Sequence, residues 1–167
     1  MSTAQIGQDA TQGTVVATRR ITAPRSLVYE AWTQLDHRRQ WFKGPGQTEI
    51  ARSLDLRVGG IEVAHGRFDD TGIETIYTAR FHLIEPDVRL IYAFDMHVAG
   101  AHFSVSLTRV DFDDAPGGSG TDLTYTEHGF FLSGDDAEGR AEGTEILMTQ
   151  ITTYATALAD QRKEDGR

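Results

Sequence analysis

The sequence predicts an α+β fold: a curved antiparallel sheet of six to seven strands wrapped around one long C-terminal helix, with two short helices after the first strand. Three observations predict it. From Thr48 to His128 apolar residues recur at every second position, punctuated by turn residues. After that run the period changes, and Ser133 to Leu158 reads as a single amphipathic helix. Between the first strand and the long meander, Pro24 introduces apolar residues at helical spacing. Residues 1–12 read as a disordered leader and 161–167 as a disordered tail, which leaves 13–160 as one domain large enough to bury a core.

Taken in order, Thr14–Ile21 is the first strand. Leu27, Val28, Ala31, Trp32 and Leu35 form the apolar stripe of the first helix, and a second covers Asp36–Phe42 until Gly44-Pro45-Gly46 breaks it. Strands follow at Thr48–Asp55, Ile61–Phe68 and Thr75–Ile84, separated by Gly59-Gly60 and Asp69-Asp70-Thr71-Gly72 turns. Alternation assigns Ile61, Val63 and His65 to the inward face, together with Tyr77, Ala79, Phe81 and Leu83. Beyond Glu85-Pro86-Asp87, Leu90, Tyr92, Phe94 and Met96 share a face; Phe103, Val105 and Leu107 continue it, with Ser104, Ser106 and Thr108 pointing away. The loop Asp113–Gly120 leads into the last strand, Thr121–His128, with Leu123, Tyr125 and Glu127 inward.

The long helix starts at a capping-box-like Ser133 and Asp136, with Asp135, Asp136 and Glu138 near its positive end. Its stripe runs through Leu147, Ile151, Tyr154 and Leu158, and traces back through Thr144, Gly143 and Arg140. Such a helix packs tightly at its C-terminal end and leaves room at the other.

Composition narrows the function. The absence of cysteine excludes disulfides, thiolate metal sites and cysteine nucleophiles. A formal charge of −9 argues against nucleic acid or an anionic membrane as a partner. No apolar run is long enough to span a bilayer and no signal region opens the chain, so a cytoplasmic location is expected. The cluster His37-Arg38-Arg39 with Lys43 reads as a solvated helix face. Phosphate loops, dinucleotide fingerprints and nucleophile elbows are missing from the sequence, and no cofactor is expected. His97 and His102 face each other across a hairpin without a third ligand, so no metal is expected either. The pattern leaves open a homodimer through the outer sheet face or an edge strand.

Several stretches carry a family resemblance that covers about Val15 to Leu158. They are Ile21-Thr22-Ala23-Pro24-Arg25-Ser26-Leu27-Val28-Tyr29-Glu30-Ala31-Trp32-Thr33, then Trp41-Phe42, Asp55-Leu56-Arg57-Val58-Gly59-Gly60 and Glu85-Pro86-Asp87-Val88-Arg89-Leu90. In order and spacing these resemble the START-related helix-grip superfamily, which includes polyketide-cyclase-like proteins. More narrowly they resemble its branch of homologues of the activator of the heat-shock chaperone ATPase. The resemblance implies a helix-grip fold, one that hosts carriers, cyclases, hydrolases and chaperone cofactors alike. Many members of the branch carry His and Trp where this chain has Glu127 and Thr144. The chain is instead similar to a sub-branch with a Thr-Glu-x-Gly-x-Phe-Leu ending, here Thr126-Glu127-His128-Gly129-Phe130-Phe131-Leu132.

A cavity between sheet and helix is therefore expected, lined by Trp41, Val63, His65, Tyr77, Phe81, Tyr92, Phe94, Phe103, Tyr125, Glu127, Arg140, Gly143, Thr144 and Leu147. An empty apolar void of ~400 Å³ would cost on the order of 10 kcal/mol, so such a space is wetted by polar wall groups or occupied. The first functional expectation is a binding domain for a small apolar or aromatic molecule. The second is a cyclase-, hydratase- or hydrolase-type enzyme in which Glu127 and His65 act as an acid–base pair. The third is an interaction role of the chaperone-activator type.

Overall fold

The structure is a computed structural model that describes residues 10–132 and 137–166. Strand β1 (Thr11–Ile21) leads into α1 (Arg25–Thr33) and α2 (Leu35–Trp41). Six strands follow, β2 (Gln47–Leu54), β3 (Ile61–Phe68), β4 (Glu74–Glu85), β5 (Arg89–Val98), β6 (Ala101–Asp114) and β7 (Thr121–Phe131), and then α3 (Ala137–Asp165). All seven strands form one antiparallel sheet in the order β1-β7-β6-β5-β4-β3-β2. Every neighbouring pair except β1–β7 is consecutive in the chain, so short hairpins suffice. At the β5–β6 hairpin Ala99 and Gly100 both have positive φ, 51° and 78°, as a two-residue loop that matches strand twist requires.

Local sequence explains where the helices begin and end. The carbonyl of Pro24 accepts bonds from the amides of Leu27 and Val28, which starts α1. Gln34 is extended (φ −88°, ψ 132°) and separates α1 from α2. The expected cap of α3, Ser133 to Asp136, lies outside the described residues. At its other end α3 runs through Asp165, five residues into the stretch expected as a disordered tail, where Arg162 pairs with Glu30 of α1. Strand β1 likewise begins at Thr11, inside the expected leader. No helix among the described residues is long and apolar enough to cross a membrane.

The core lies where α1 and the C-terminal half of α3 meet the sheet. Leu27, Val28, Ala31 and Trp32 pack there with Ile21, Leu90, Val110, Phe112 and Leu123. From α3 the buried residues are Thr144, Met148, Ile151, Ala155 and Ala159, so the stripe keeps Thr144 and Ile151 but is rotated from the one expected: Leu147, Tyr154 and Leu158 flank it rather than centre it. Two alanines on the stripe let the helix backbone approach the sheet, a contact that ranking residues by hydrophobic size overlooks.

Two strands present the opposite face from the one expected. On β3, Glu62 is buried and Ala64 packs on the core, while Ile61 is exposed and Val63 and His65 are only half-buried. On β6, Ser104, Ser106 and Thr108 are buried, while Val105 and Leu107 are 44% and 50% exposed. Alternation on β6 must be in phase with buried Val110 and Phe112, and that phase turns the serines inward. On β4 a bulge between Phe81 and Leu83 breaks the alternation, leaving Leu83 half-buried and bringing Ile84 against the core.

Candidate functional site

The N-terminal half of α3 carries small residues where the C-terminal half carries core, and a half-enclosed cavity of about 370 Å³ lies between it and the sheet. Exposed Lys43 and Pro45 border it on one side and exposed Gly139, Gly143 and Ile146 on the other, so its mouth lies between the α2–β2 loop and α3.

Its deeper wall is aromatic. Phe94 of β5 stands 5.0 Å from the ring of Tyr77 and 6.3 Å from that of Tyr92, and Phe42 meets Tyr77 edge-on at 5.1 Å. Burial, and secondarily the nearby Tyr92 and Glu62, keep the Tyr77 phenol well above its ordinary pKa of 10. Burial and Glu127 do the same for Tyr125. Both phenols are therefore neutral donors over the whole physiological range.

A polar cluster occupies the α3 side. Glu127 is wholly buried and accepts hydrogen bonds from Ser106 Oγ (2.6 Å), Tyr125 Oη (2.8 Å) and Arg140 Nη1 (2.8 Å). Arg140 also donates to Ser104 Oγ and lies 5.5 Å over Phe94 and 5.3 Å over Phe131. The serines turned inward on β6 thus serve this ion pair. Gly129 makes room for Ser106: a Cβ there would sit 2.6 Å from Ser106 Oγ and 3.0 Å from the Phe131 ring.

Behind the opposite wall lies a second buried network that the sequence reading missed. Arg38, expected on a solvated face, is 2% exposed; it grips Glu62 through Nε and Nη2 at 2.7 and 3.1 Å. Burial opposes the guanidinium charge, but Glu62 more than compensates and raises its pKa. Its plane lies 3.8 Å over the ring of Phe42, and Arg52 donates to the Phe42 carbonyl as well as to Glu49 and Glu62. This network holds Phe42, a cavity wall, in place. An alternating inward Glu on β3 with an Arg on a short helix was the signal available.

Eleven of the fourteen residues expected at the site border this cavity: His65, Tyr77, Tyr92, Phe94, Phe103, Tyr125, Glu127, Arg140, Gly143, Thr144 and Leu147. Three do not. Trp41 is buried between the short helices, donating its indole N–H to the Ala31 carbonyl at 2.8 Å. Phe81 belongs to the core beside Tyr92, and Val63 faces outward with Ile61. His65 borders the cavity, but its strand position is outward and its Nε2 meets Glu74 at 2.9 Å. It has no bond to Glu127, whose partners are Ser106, Tyr125 and Arg140. His97 and His102 stack at 4.6 Å and 3°, and among the described residues no three acidic or histidine side chains are placed to hold a metal.

The family model for Activator of Hsp90 ATPase homolog 1-like protein matches residues 22–156. A crystal structure of a Rhizobium leguminosarum protein is 34% identical, superposes with a TM-score of 0.80, and covers 88% of this chain and 96% of its own. A protein from Rhizobium loti, also 34% identical, gives 0.76 over 88% and 99%. A solution structure from Aeromonas hydrophila, described as AHSA1-like, shares the fold at 20% identity and a TM-score of 0.70, over 87% and 94%. No curated protein matches the chain.

Proposed function

The chain belongs to the Activator of Hsp90 ATPase homolog 1-like family, and we propose that it binds a small, mostly apolar or aromatic molecule between the sheet and the N-terminal half of α3. One observation carries this reading: the half-enclosed cavity of about 370 Å³ with its aromatic wall. Ligand pockets fall in the range of roughly 300–1,000 Å³ and combine such walls with a few placed polar groups. A hydratase- or hydrolase-type reaction through Glu127 and His65 has less behind it. The Glu127 carboxylate is engaged by three donors, and the His65 imidazole by Glu74. Chaperone activation rests on the family's name alone.

Native mass spectrometry of freshly purified protein should find a small-molecule adduct. The Gly143→Trp variant, which places an indole at the mouth where a Cβ meets nothing within 4 Å, should lose it. An adduct-free native chain whose melting temperature no apolar or aromatic compound raises refutes the reading.

A further inference from the structure

We infer that Tyr77 selects the ligand, donating a hydrogen bond to a neutral carbonyl oxygen of an aromatic molecule held in the cavity. This rests on the binding role proposed above. The Tyr77 hydroxyl is buried, belongs to a residue bordering the cavity and makes no well-formed hydrogen bond, with only the neighbouring Tyr92 phenol close to it. Other polar groups of the wall are engaged within the protein. Gln47 uses both ends of its amide, on Thr75 Oγ1 and on the Gly44 amide. Tyr125 and Arg140 are held by Glu127, and Thr144 bonds the Arg140 carbonyl. A buried polar group left unmet is a net cost to the fold, so a hydroxyl kept in that state points to a partner that arrives with the ligand.

The chemistry of that partner follows from charge and protonation. Because burial holds the phenol protonated, it offers a donor hydrogen. The cations deep in the wall already hold carboxylates of the protein, Arg52 those of Glu49 and Glu62 and Arg140 that of Glu127, so a carboxylate entering beside Tyr77 would be desolvated and would have to compete with them. A ketone-type carbonyl takes the hydrogen bond and brings no charge. Phe42 and Phe94, at 5.1 and 5.0 Å from the Tyr77 ring, supply the surfaces against which the rest of an aromatic ketone packs.

The test compares 1-tetralone with tetralin, the same bicycle without the carbonyl, by calorimetric titration of the native chain, Tyr77→Phe and Gly143→Trp. Each compound is compared with itself across variants, so their different hydration cancels. Tyr77→Phe keeps the ring and removes an unmet polar atom, so its melting temperature should not fall. It should weaken tetralone about tenfold, the worth of one good hydrogen bond, and change tetralin less than about twofold. Gly143→Trp should weaken both. Equal changes for the two compounds, as a resident water on Tyr77 would give, overturn the assignment of Tyr77. So does an unchanged ketone affinity; in either case a binding loss in Gly143→Trp leaves the cavity reading standing. Binding indifferent to Gly143→Trp, or binding of neither compound by the native chain, overturns the cavity reading and the Tyr77 assignment with it.

Discussion

Replacing Glu62 by Gln should be among the most damaging single changes in the chain. Glu62 is 1% exposed and takes both Nε and Nη2 of Arg38, itself 2% exposed, while Arg52 reaches the same carboxylate at 3.4 Å. Without it Arg38 loses its carboxylate partner and Arg52 keeps only Glu49, which also serves Arg39. Removing one partner of a buried ion pair costs about 3–5 kcal/mol, mostly because the remaining charge stays desolvated. In a domain of this size that lowers the melting temperature by about 6–20 °C. Circular-dichroism melts and urea titrations of native and variant chains measure it. The double variant Arg38→Met with Glu62→Leu removes both charges and should recover most of the loss, because a packed apolar pair is often as stable as the ion pair it replaces. A loss below about 1 kcal/mol in Glu62→Gln would refute the idea that this network fixes α2 against β3. A double variant no better than the single one would show that packing around Phe42 and Trp41, rather than charge, governs the site.

Gly129→Ala should destabilise the chain, since its Cβ falls 2.6 Å from Ser106 Oγ; a side chain pushed off Glu127 leaves a buried carboxylate short of a donor, and thermal melts should show a loss of about 1–3 kcal/mol. Gly143→Ala should do the reverse, gaining about 0.5–1 kcal/mol of helix propensity where the added methyl meets nothing, as urea titration will show. Burial opposes ionisation of Asp111, but Arg109 and Arg89 together hold its pKa below the ordinary 3.8. Its contribution is therefore complete above that value and lost as pH falls through the lower folded one, so Asp111→Asn should flatten the acid limb of stability against pH. Tyr77 and Tyr125, whose folded pKa values are raised, act in the opposite sense. The unfolded phenols ionise near 10 while the folded ones stay neutral, so stability should fall above pH 10 by about 1.4 kcal/mol per pH unit for each phenol. Tyr77→Phe should remove one phenol's share of that slope in urea titrations at successive pH values.

The strands were legible because alternation and turn residues recur through most of the meander, and the span of β3 is the one expected, Ile61–Phe68. Which face of a strand turned inward was not always legible, for one physical reason. Assigning the apolar set to the core fails where inward positions hold a largely hydrogen-bonded polar cluster, and both β3 and β6 do. Glu62 is tolerable inside only because Arg38, twenty-four residues earlier, meets it. Ser104 and Ser106 are tolerable because Arg140 and Glu127 do. Periodicity within one strand carries no information about partners that distant. The phase of β6 could still have been read from its far end, where Val110 and Phe112 are both apolar and both buried.

The same inversion leaves an outer face with Val105 beside Phe130, and Leu107 near them, all well exposed, while serines and threonine face inward. Over the first half of β6 hydrophobic burial alone would favour the other phase; burial of Val110 and Phe112 in the second half and the bonds of Ser104 and Ser106 hold the observed one. That places a requirement on the cavity next to it. A 370 Å³ apolar void left dry would cost about 9 kcal/mol at ~24 cal/mol per Å³, as much as many whole domains have to spare. The cavity is half-enclosed, so water enters; against the Phe42 and Phe94 rings that water finds few partners. Loosely held water is displaced with a gain in free energy by an apolar group of matching shape. The polar cluster at Glu127 and the network at Glu62 hold the walls apart without filling the space between them, and the space that Gly139, Gly143 and Thr144 leave open is the one the proposed ligand would fill.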